Sequence, residues 1–124
     1  MRQQADGIVS IWSGQFDSQE EFGEYVRSSP DGPSAFCRHA GLNTFDFGEF
    51  EAAFYAAVPV LSLRALSRFP VSQVFAETAG TALDDRAEAG WNSLVLLYDC
   101  AYSPDRAHPS QACRMKYVGS FSYR

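Results

Sequence analysis

The chain has 124 residues, enough for one ordinary domain but too few for two. Hydrophobic residues make up 46% of it and aromatic residues 15%, a composition that excludes an intrinsically disordered chain. The formal net charge of −5 disfavours binding to nucleic-acid phosphates and suits a soluble protein or the capture of a basic partner. No signal peptide or membrane-spanning stretch is recognisable, so we expect a cytoplasmic location without a membrane partner.

The first predicted elements are a strand and a helix. β-branched and aromatic residues from Gly7 to Ser13 favour a strand. Ser18, followed three residues later by Glu21, is typical of a capping box that begins a helix. Phe16 precedes this cap, where it is expected to pack as a hydrophobic staple. The apolar residues of the helix recur on one face: Phe22, Tyr25 and Val26.

The middle of the chain is predicted to be mainly helical. A short helix is expected from Ser34 to Ala40, stopped by Gly41. Phenylalanines then recur at helical spacing and predict a helix from Asp46 to about Ala57. Residues 60–69 are ambiguous between a strand and a helix, because short apolar runs fit both. A further helix is predicted from Ser72 to about Ala89.

Two strands are predicted in the last third of the sequence. The segment from Asn92 to Asp99 is apolar on both faces, as in a central, covered strand. A polar loop at 103–112 separates it from an alternating strand from Arg114 to Tyr123, with Gly119 and Phe121 on one face. The two strands would form a long hairpin.

These elements together predict an α+β fold over residues 1–124 as a single domain. Its sheet is expected to be small, mostly antiparallel and three-stranded, made of the N-terminal strand and the C-terminal hairpin. Several helices would pack against this sheet.

Residue patterns typical of catalysis, metal binding or nucleotide binding are missing from the sequence. His39 lies two residues after Cys37, but a zinc site needs at least three protein ligands, and we expect no metal or cofactor. His108 lies in the polar loop and is interpreted as a solvated side chain. Cys100 and Cys113 flank the loop of the expected hairpin, where they would either pair or pack as free thiols; a reducing cytosol favours thiols. We therefore expect no enzyme.

Three stretches carry a recognisable combination of residues. The first is W-S-G-Q-F at 12–16, followed by S-Q-E-E-F-G-E-Y at 18–25. The others are N-S-L-V-L-L-Y-D at 92–99 and Y-V-G-S-F-S-Y at 117–123. Together they resemble the immunity protein 22 family of bacterial polymorphic toxin systems. The matching residues, for which we expect a mainly structural role, are Trp12, Gly14, Phe16, Phe22, Tyr98, Asp99, Gly119 and Phe121.

The resemblance implies an immunity protein that binds and neutralises a cognate toxin without catalysis. The acidic charge is what a basic, nuclease-type toxin would require. The residues expected to bind it form two acidic clusters, Glu20, Glu21 and Glu24 on the first helix and Asp84, Asp85 and Glu88 on the long helix. Two alternatives stay open, namely a small-ligand-binding or regulatory domain and a cysteine-dependent hydrolase. The oligomeric state is undetermined by the sequence.

Overall fold

The computed structural model describes residues 4–27, 32–43, 46–55, 65–66, 69 and 73–123. Within those residues it contains four strands and four helices. In chain order they are β1 (Gln4–Gly14), α1 (Gln19–Val26), α2 (Ala35–Ala40), β2 (Phe50–Phe54), α3 (Gln73–Arg86), β3 (Ser93–Cys100), α4 (Pro104–Ala107) and β4 (Met115–Ser122). The predicted α+β class and antiparallel sheet are confirmed, whereas the prediction of three strands is wrong, since the sheet has four.

The strand order is β2-β3-β1-β4, and every neighbouring pair is antiparallel. The predicted C-terminal hairpin is wrong, because β1 lies between β3 and β4 and pairs with both. β3 and β4 consequently run parallel to each other, which requires a crossover connection rather than a tight turn. Residues 101–114, which include α4, provide that connection.

The predicted helix from Asp46 to Ala57 is also wrong, because residues Phe50–Phe54 form strand β2, which pairs with β3. Phe50 and Phe54 are four residues apart, which suits a helix, but with Ala52 they also share one face of a strand. The central strand β3 decides between the two patterns. It is apolar on both faces, and pairing with β2 and β1 satisfies its backbone on both edges.

The sheet separates two apolar cores. On one side, which we call the α3 face, alternate β3 residues pack with α3. The residues of this core include Val9, Ile11, Leu66, Phe75, Ala79, Leu83, Leu94, Leu96 and Val118. On the opposite side, the α1–α2 face, the remaining residues of β3 pack with the two short helices. This second core includes Trp12, Phe16, Phe22, Tyr25, Phe36, Val95, Leu97, Cys100 and Tyr102. The expected covered strand is confirmed, since residues 93–98 are all buried.

A bulge in β4 changes the predicted alternation of its side chains. Ile11 pairs with Gly119 and Trp12 with Tyr117, so Val118 is an extra residue in β4. As a result Tyr117 packs in the α1–α2 core, whereas Val118 and Phe121 pack on the α3 face. The guanidinium of Arg86 donates a hydrogen bond of 2.7 Å to the carbonyl oxygen of Val118 and so satisfies the bulged backbone.

The remaining predicted helices are present in the structure, although α3 ends at Arg86 rather than at about Ala89. Ser18 accepts a hydrogen bond from the backbone N–H of Glu21, and α1 follows it. Gly41 ends α2 with φ 76°. Of the ambiguous segment 60–69, Ala65, Leu66 and Phe69 are described and buried, and the choice between strand and helix for the rest lies outside the described residues.

Candidate partner-binding surfaces

The acidic residues predicted on α1 have two different environments. Glu20 and Glu24 are exposed, whereas Glu21 forms an ion pair of 2.8 Å with Arg114 at the start of β4. The hydrogen bond from Arg114, followed by that from the N–H of Asp17, lowers the pKa of Glu21 below its usual value. Glu21 therefore helps to hold α1 in place, and the outward charge of this helix comes from Glu20 and Glu24.

Arg114 also positions α1 through aromatic contacts. Its guanidinium lies 4.3 Å from the ring centroid of Phe16 and 5.9 Å from that of Tyr25. Its backbone N–H donates to the hydroxyl of Tyr25, which lies 2.9 Å from Nδ1 of His39. Burial raises the pKa of Tyr25 to about 12, so its hydroxyl is neutral at physiological pH. The contacts among Arg114, Tyr25 and His39 therefore link α1, α2 and the start of β4 at one end of the molecule.

The second predicted acidic cluster lies mainly on the other side of the sheet. Asp84, Asp85 and Glu88 are exposed at the end of α3 and just beyond it. Asp84 and Asp85 lie on α3, which covers the opposite face of the sheet from α1, whereas Glu88 lines a cavity at the end of the sheet with Arg114, the partner of Glu21. Glu20 and Glu24 therefore belong to a different candidate surface from Asp84 and Asp85.

A groove between α1 and strand β2 was missed by the sequence reasoning. It has a volume of about 290 Å³, and its described lining consists of Gln19, Phe22, Gly23, Val26, Arg27, Phe50, Ala52 and Phe54. Phe50 is 38% exposed, and only Val74 on α3 joins it as an exposed large hydrophobic residue in the described part of the chain. The sequence signal was the phenylalanine pair at 50 and 54, which the predicted helix placed in the core.

The residues of the family pattern lie within the scaffold. Trp12 is buried against the rings of Phe36, Tyr102 and Tyr117, with centroid distances of 5.2, 4.8 and 5.3 Å. A Cβ on Gly14 would lie 3.0–3.2 Å from the side chains that surround it. Phe16 and Phe22 are both buried and in contact, with their ring centroids 5.3 Å apart.

The pattern residues near the other end of the sheet hold strands together. The carboxylate of Asp99 accepts hydrogen bonds from the backbone N–H of Gly7 at 3.0 Å and from the hydroxyl of Tyr123 at 2.8 Å. Tyr98 is buried and packs on the ring of Tyr123, and burial raises its pKa. A Cβ on Gly119 would lie 2.8 Å from the Phe121 ring and 2.9 Å from the Arg86 guanidinium, so a larger residue there would displace these side chains.

The cysteines give little support to the alternative of a cysteine-dependent hydrolase. All three are free thiols. Burial raises the pKa of Cys37, and it raises the pKa of Cys100 to about 11, whereas a nucleophilic cysteine needs an accessible thiolate. Cys113 is half-buried and donates a hydrogen bond to the carbonyl of Met115 at 3.3 Å.

The cavities and the potential metal ligands of the described residues bear on the small-ligand alternative. A second cavity of about 100 Å³ lies at the end of the sheet beside Trp91 and Arg114, well below the volume of pockets that enclose a drug-sized ligand, whereas the groove, at about 290 Å³, is close to the lower end of that range. Across the described ranges, no three His, Cys, Asp or Glu side chains are grouped as metal ligands would be. None of the helices in the described part of the chain is long and apolar enough to cross a membrane.

Comparison with known proteins identifies a family over nearly the whole chain. The sequence profile described as immunity protein 22 matches residues 9–124. This match confirms the resemblance found at 12–25, 92–99 and 117–123 and extends it through the intervening residues. Searches of curated proteins and of solved structures give no significant match.

Proposed function

Because the chain belongs to the immunity protein 22 family, we propose that it binds a cognate toxin domain and neutralises it without catalysis. The observation that carries this proposal is the family match over residues 9–124. In this proposal the chain is a single functional domain that acts in the bacterial cytoplasm, as part of a polymorphic toxin system. The buried, protonated state of Cys37 and Cys100 supports a non-catalytic mode of inhibition.

The charge of the protein supports a basic toxin. With a net charge of −5, the chain attracts a cationic partner at long range, and such attraction increases the association rate at low ionic strength. A nuclease toxin is basic on the surface that binds phosphates, so an acidic inhibitor complements it. Glu20 and Glu24 on α1, with Asp85 on α3 and Glu88 just beyond it, are exposed enough to contribute.

Co-expression tests the proposed function directly. A candidate toxin domain, chosen from the genes that neighbour this one, is expressed in bacteria with and without the protein, and growth is measured. We expect rescue of growth and a stoichiometric complex that survives size-exclusion chromatography. Growth arrest despite soluble co-expression, without a complex, would contradict the proposal.

Charge reversal distinguishes the two acidic surfaces. Two double variants are compared, Glu20→Lys with Glu24→Lys and Asp85→Lys with Glu88→Lys. We expect the pair that lies on the toxin-facing surface to lower the association rate about ten-fold at low salt. The difference should shrink as salt screens the charges, as stopped-flow measurements at several ionic strengths can show. Glu21 is left unchanged because it pairs with Arg114. If neither pair of substitutions changes the rate, the acidic surfaces do not steer the toxin.

A further inference from the structure

Strand β2 forms one edge of the sheet, and its outward backbone groups coincide with the groove. The N–H of Tyr98 donates to the carbonyl of Glu49, and the N–H of Tyr55 donates to the carbonyl of Asn92, each at 2.8 Å. Odd-numbered residues of this segment therefore bond to β3. The N–H and C=O groups of Phe50, Ala52 and Phe54 point to the outer edge, where no described strand pairs with them.

The same three residues also line the groove. Phe50, Ala52 and Phe54 direct their side chains to the α1–α2 face, where they meet Phe22 and Val26 of α1. A strand added beside β2 would place every second side chain next to these three, on the same face. One extended segment could therefore both pair its backbone with the outer edge of β2 and insert its apolar side chains into the groove.

The two edges of the sheet differ in their capacity to accept such a segment. β4, at the far edge, contains the bulge at Val118, whose carbonyl oxygen is already bound by Arg86. Bulges of this kind protect an edge against a further strand. β2 keeps a regular register from Phe50 to Phe54 without a bulge. The geometry therefore favours the β2 edge.

The charges beside the groove and on the opposite face of β2 indicate the chemistry of the added segment. Glu20 and Glu24 are exposed on α1, on the groove side of the sheet. Glu49 and Glu51 alternate with Phe50 and Ala52, so they lie on the opposite, α3 face of the edge, near Tyr98. Arg27 supplies the one positive charge among the eight described lining residues. An extended segment that directs apolar residues to the groove and basic residues to the face of Glu49 and Glu51 complements this edge. A second copy of the chain is disfavoured, because its own Glu49 and Glu51 would be repelled by the same residues of this edge.

We propose that the toxin docks by adding an extended segment with apolar and basic side chains to the outer edge of β2, with its apolar side chains in the groove against Phe50. This inference rests on the proposed function and assigns the surface that performs it. It also predicts that the α1 side of the molecule, rather than the α3 side, faces the toxin.

Two substitutions test the proposal with the toxin domain used in the rescue experiment. Ala52→Pro removes an outward N–H without removing a bond to β3, and Phe50→Ser removes the exposed ring. Each should weaken toxin binding about ten-fold or more in calorimetry. Val74→Ser is the matched control, since Val74 is 73% exposed on α3, and it should bind as the unmodified protein does. Thermal unfolding of each variant establishes that it is folded.

Hydrogen exchange on the unmodified protein supplies a measurement independent of any variant. Toxin binding should slow amide exchange at Phe50, Ala52 and Phe54, more than at Glu51 and Ala53, whose N–H groups already bond to β3. If the toxin binds but exchange at the outward amides is unchanged and the folded variants bind normally, the docking site is elsewhere and the proposed function stands.

Two other results would overturn the inference in different ways. Failure of the unmodified protein to bind or neutralise the toxin would refute the proposed function, and the docking inference with it. Sedimentation without toxin that shows a dimer, dissociated by Ala52→Pro, would identify a second copy of this chain as the occupant of the edge.

Discussion

At the scale of single residues, the least replaceable positions are those whose backbone conformation and surroundings both restrict the side chain. Gly41 has φ 76° at the end of α2, and a Cβ there would collide with the carbonyl oxygen of Ala107 in α4. Asp99 has φ 58°, a conformation that aspartate tolerates better than most residues, and its carboxylate bonds Gly7 and Tyr123. The sequence predicted Gly41 as a helix stop, but the contact with Ala107 is visible only in the fold.

Two glycine substitutions with opposite effects test this interpretation. Gly41→Ala should lower the free energy of unfolding by about 2–4 kcal/mol, because alanine is strained at this φ and collides with α4. Gly23→Ala, inside α1, should raise it by about 0.5–1 kcal/mol, because the nearest atom to its Cβ is 3.4 Å away. Urea unfolding measures both. Equal effects of the two substitutions would contradict the assignment of strain to Gly41.

At the scale of elements, α2 shows how tertiary contacts stabilise a helix that is too short to be stable alone. It has six residues, and isolated helices of that length do not persist in water. The N–H groups of Leu42, Gly41 and Ser110 bond its carbonyls, and the Tyr102 hydroxyl bonds the last one, at Ala40, over 2.6 Å. The crossover that leads to β4 thus completes the end of α2.

Replacement of Tyr102 by phenylalanine tests that dependence. Tyr102→Phe keeps the ring against Trp12 but leaves the buried Ala40 carbonyl without its hydroxyl partner. We expect a loss of about 1–3 kcal/mol in the free energy of unfolding. Tyr55→Phe, which removes a longer bond of 3.2 Å to the Ala65 carbonyl, should cost less. Chemical denaturation of both variants provides the comparison, and the reverse order would refute the role given to Tyr102.

Strand β2 is the element that sequence reasoning could not predict. Its five residues fit a helical and a strand pattern equally well, since Phe50 and Phe54 share a face in both. Local propensity cannot decide between the two patterns. The strand forms because the second edge of β3 needs a hydrogen-bonding neighbour, and β2 provides it. The missed groove follows from the same error, because it exists only where β2 lies beside α1.

At the scale of the whole molecule, two cores on opposite faces of one sheet bury most of the aromatic residues that are described. Burial raises the pKa of Tyr25 and Tyr102 to about 12, and it also raises the pKa values of Tyr98 and Tyr117. In the unfolded chain these hydroxyls ionise near the ordinary value of 10. The folded state therefore binds more protons than the unfolded state at alkaline pH.

The stability of the whole molecule should consequently fall in alkali. Because the folded pKa values exceed the unfolded ones, the stabilisation is complete below the unfolded value of 10 and is lost as pH rises towards about 12. Urea unfolding across this range under reducing conditions measures the fall, and tyrosinate absorbance should rise together with unfolding. A free energy of unfolding that stays constant between pH 10 and 12 would contradict the prediction.

The sequence by itself determined the features that depend on neighbours along the chain. These are the strand at 7–13, the helix capped by Ser18, the stop at Gly41 and the covered strand β3, together with the family pattern. Only the tertiary structure decided the order of the strands, the partner of Glu21 and the groove beside Phe50. Each of these features joins residues that are far apart in sequence. Their contacts depend on the burial of both faces of β3 and on the pairing of its backbone, and no local sequence pattern encodes either requirement.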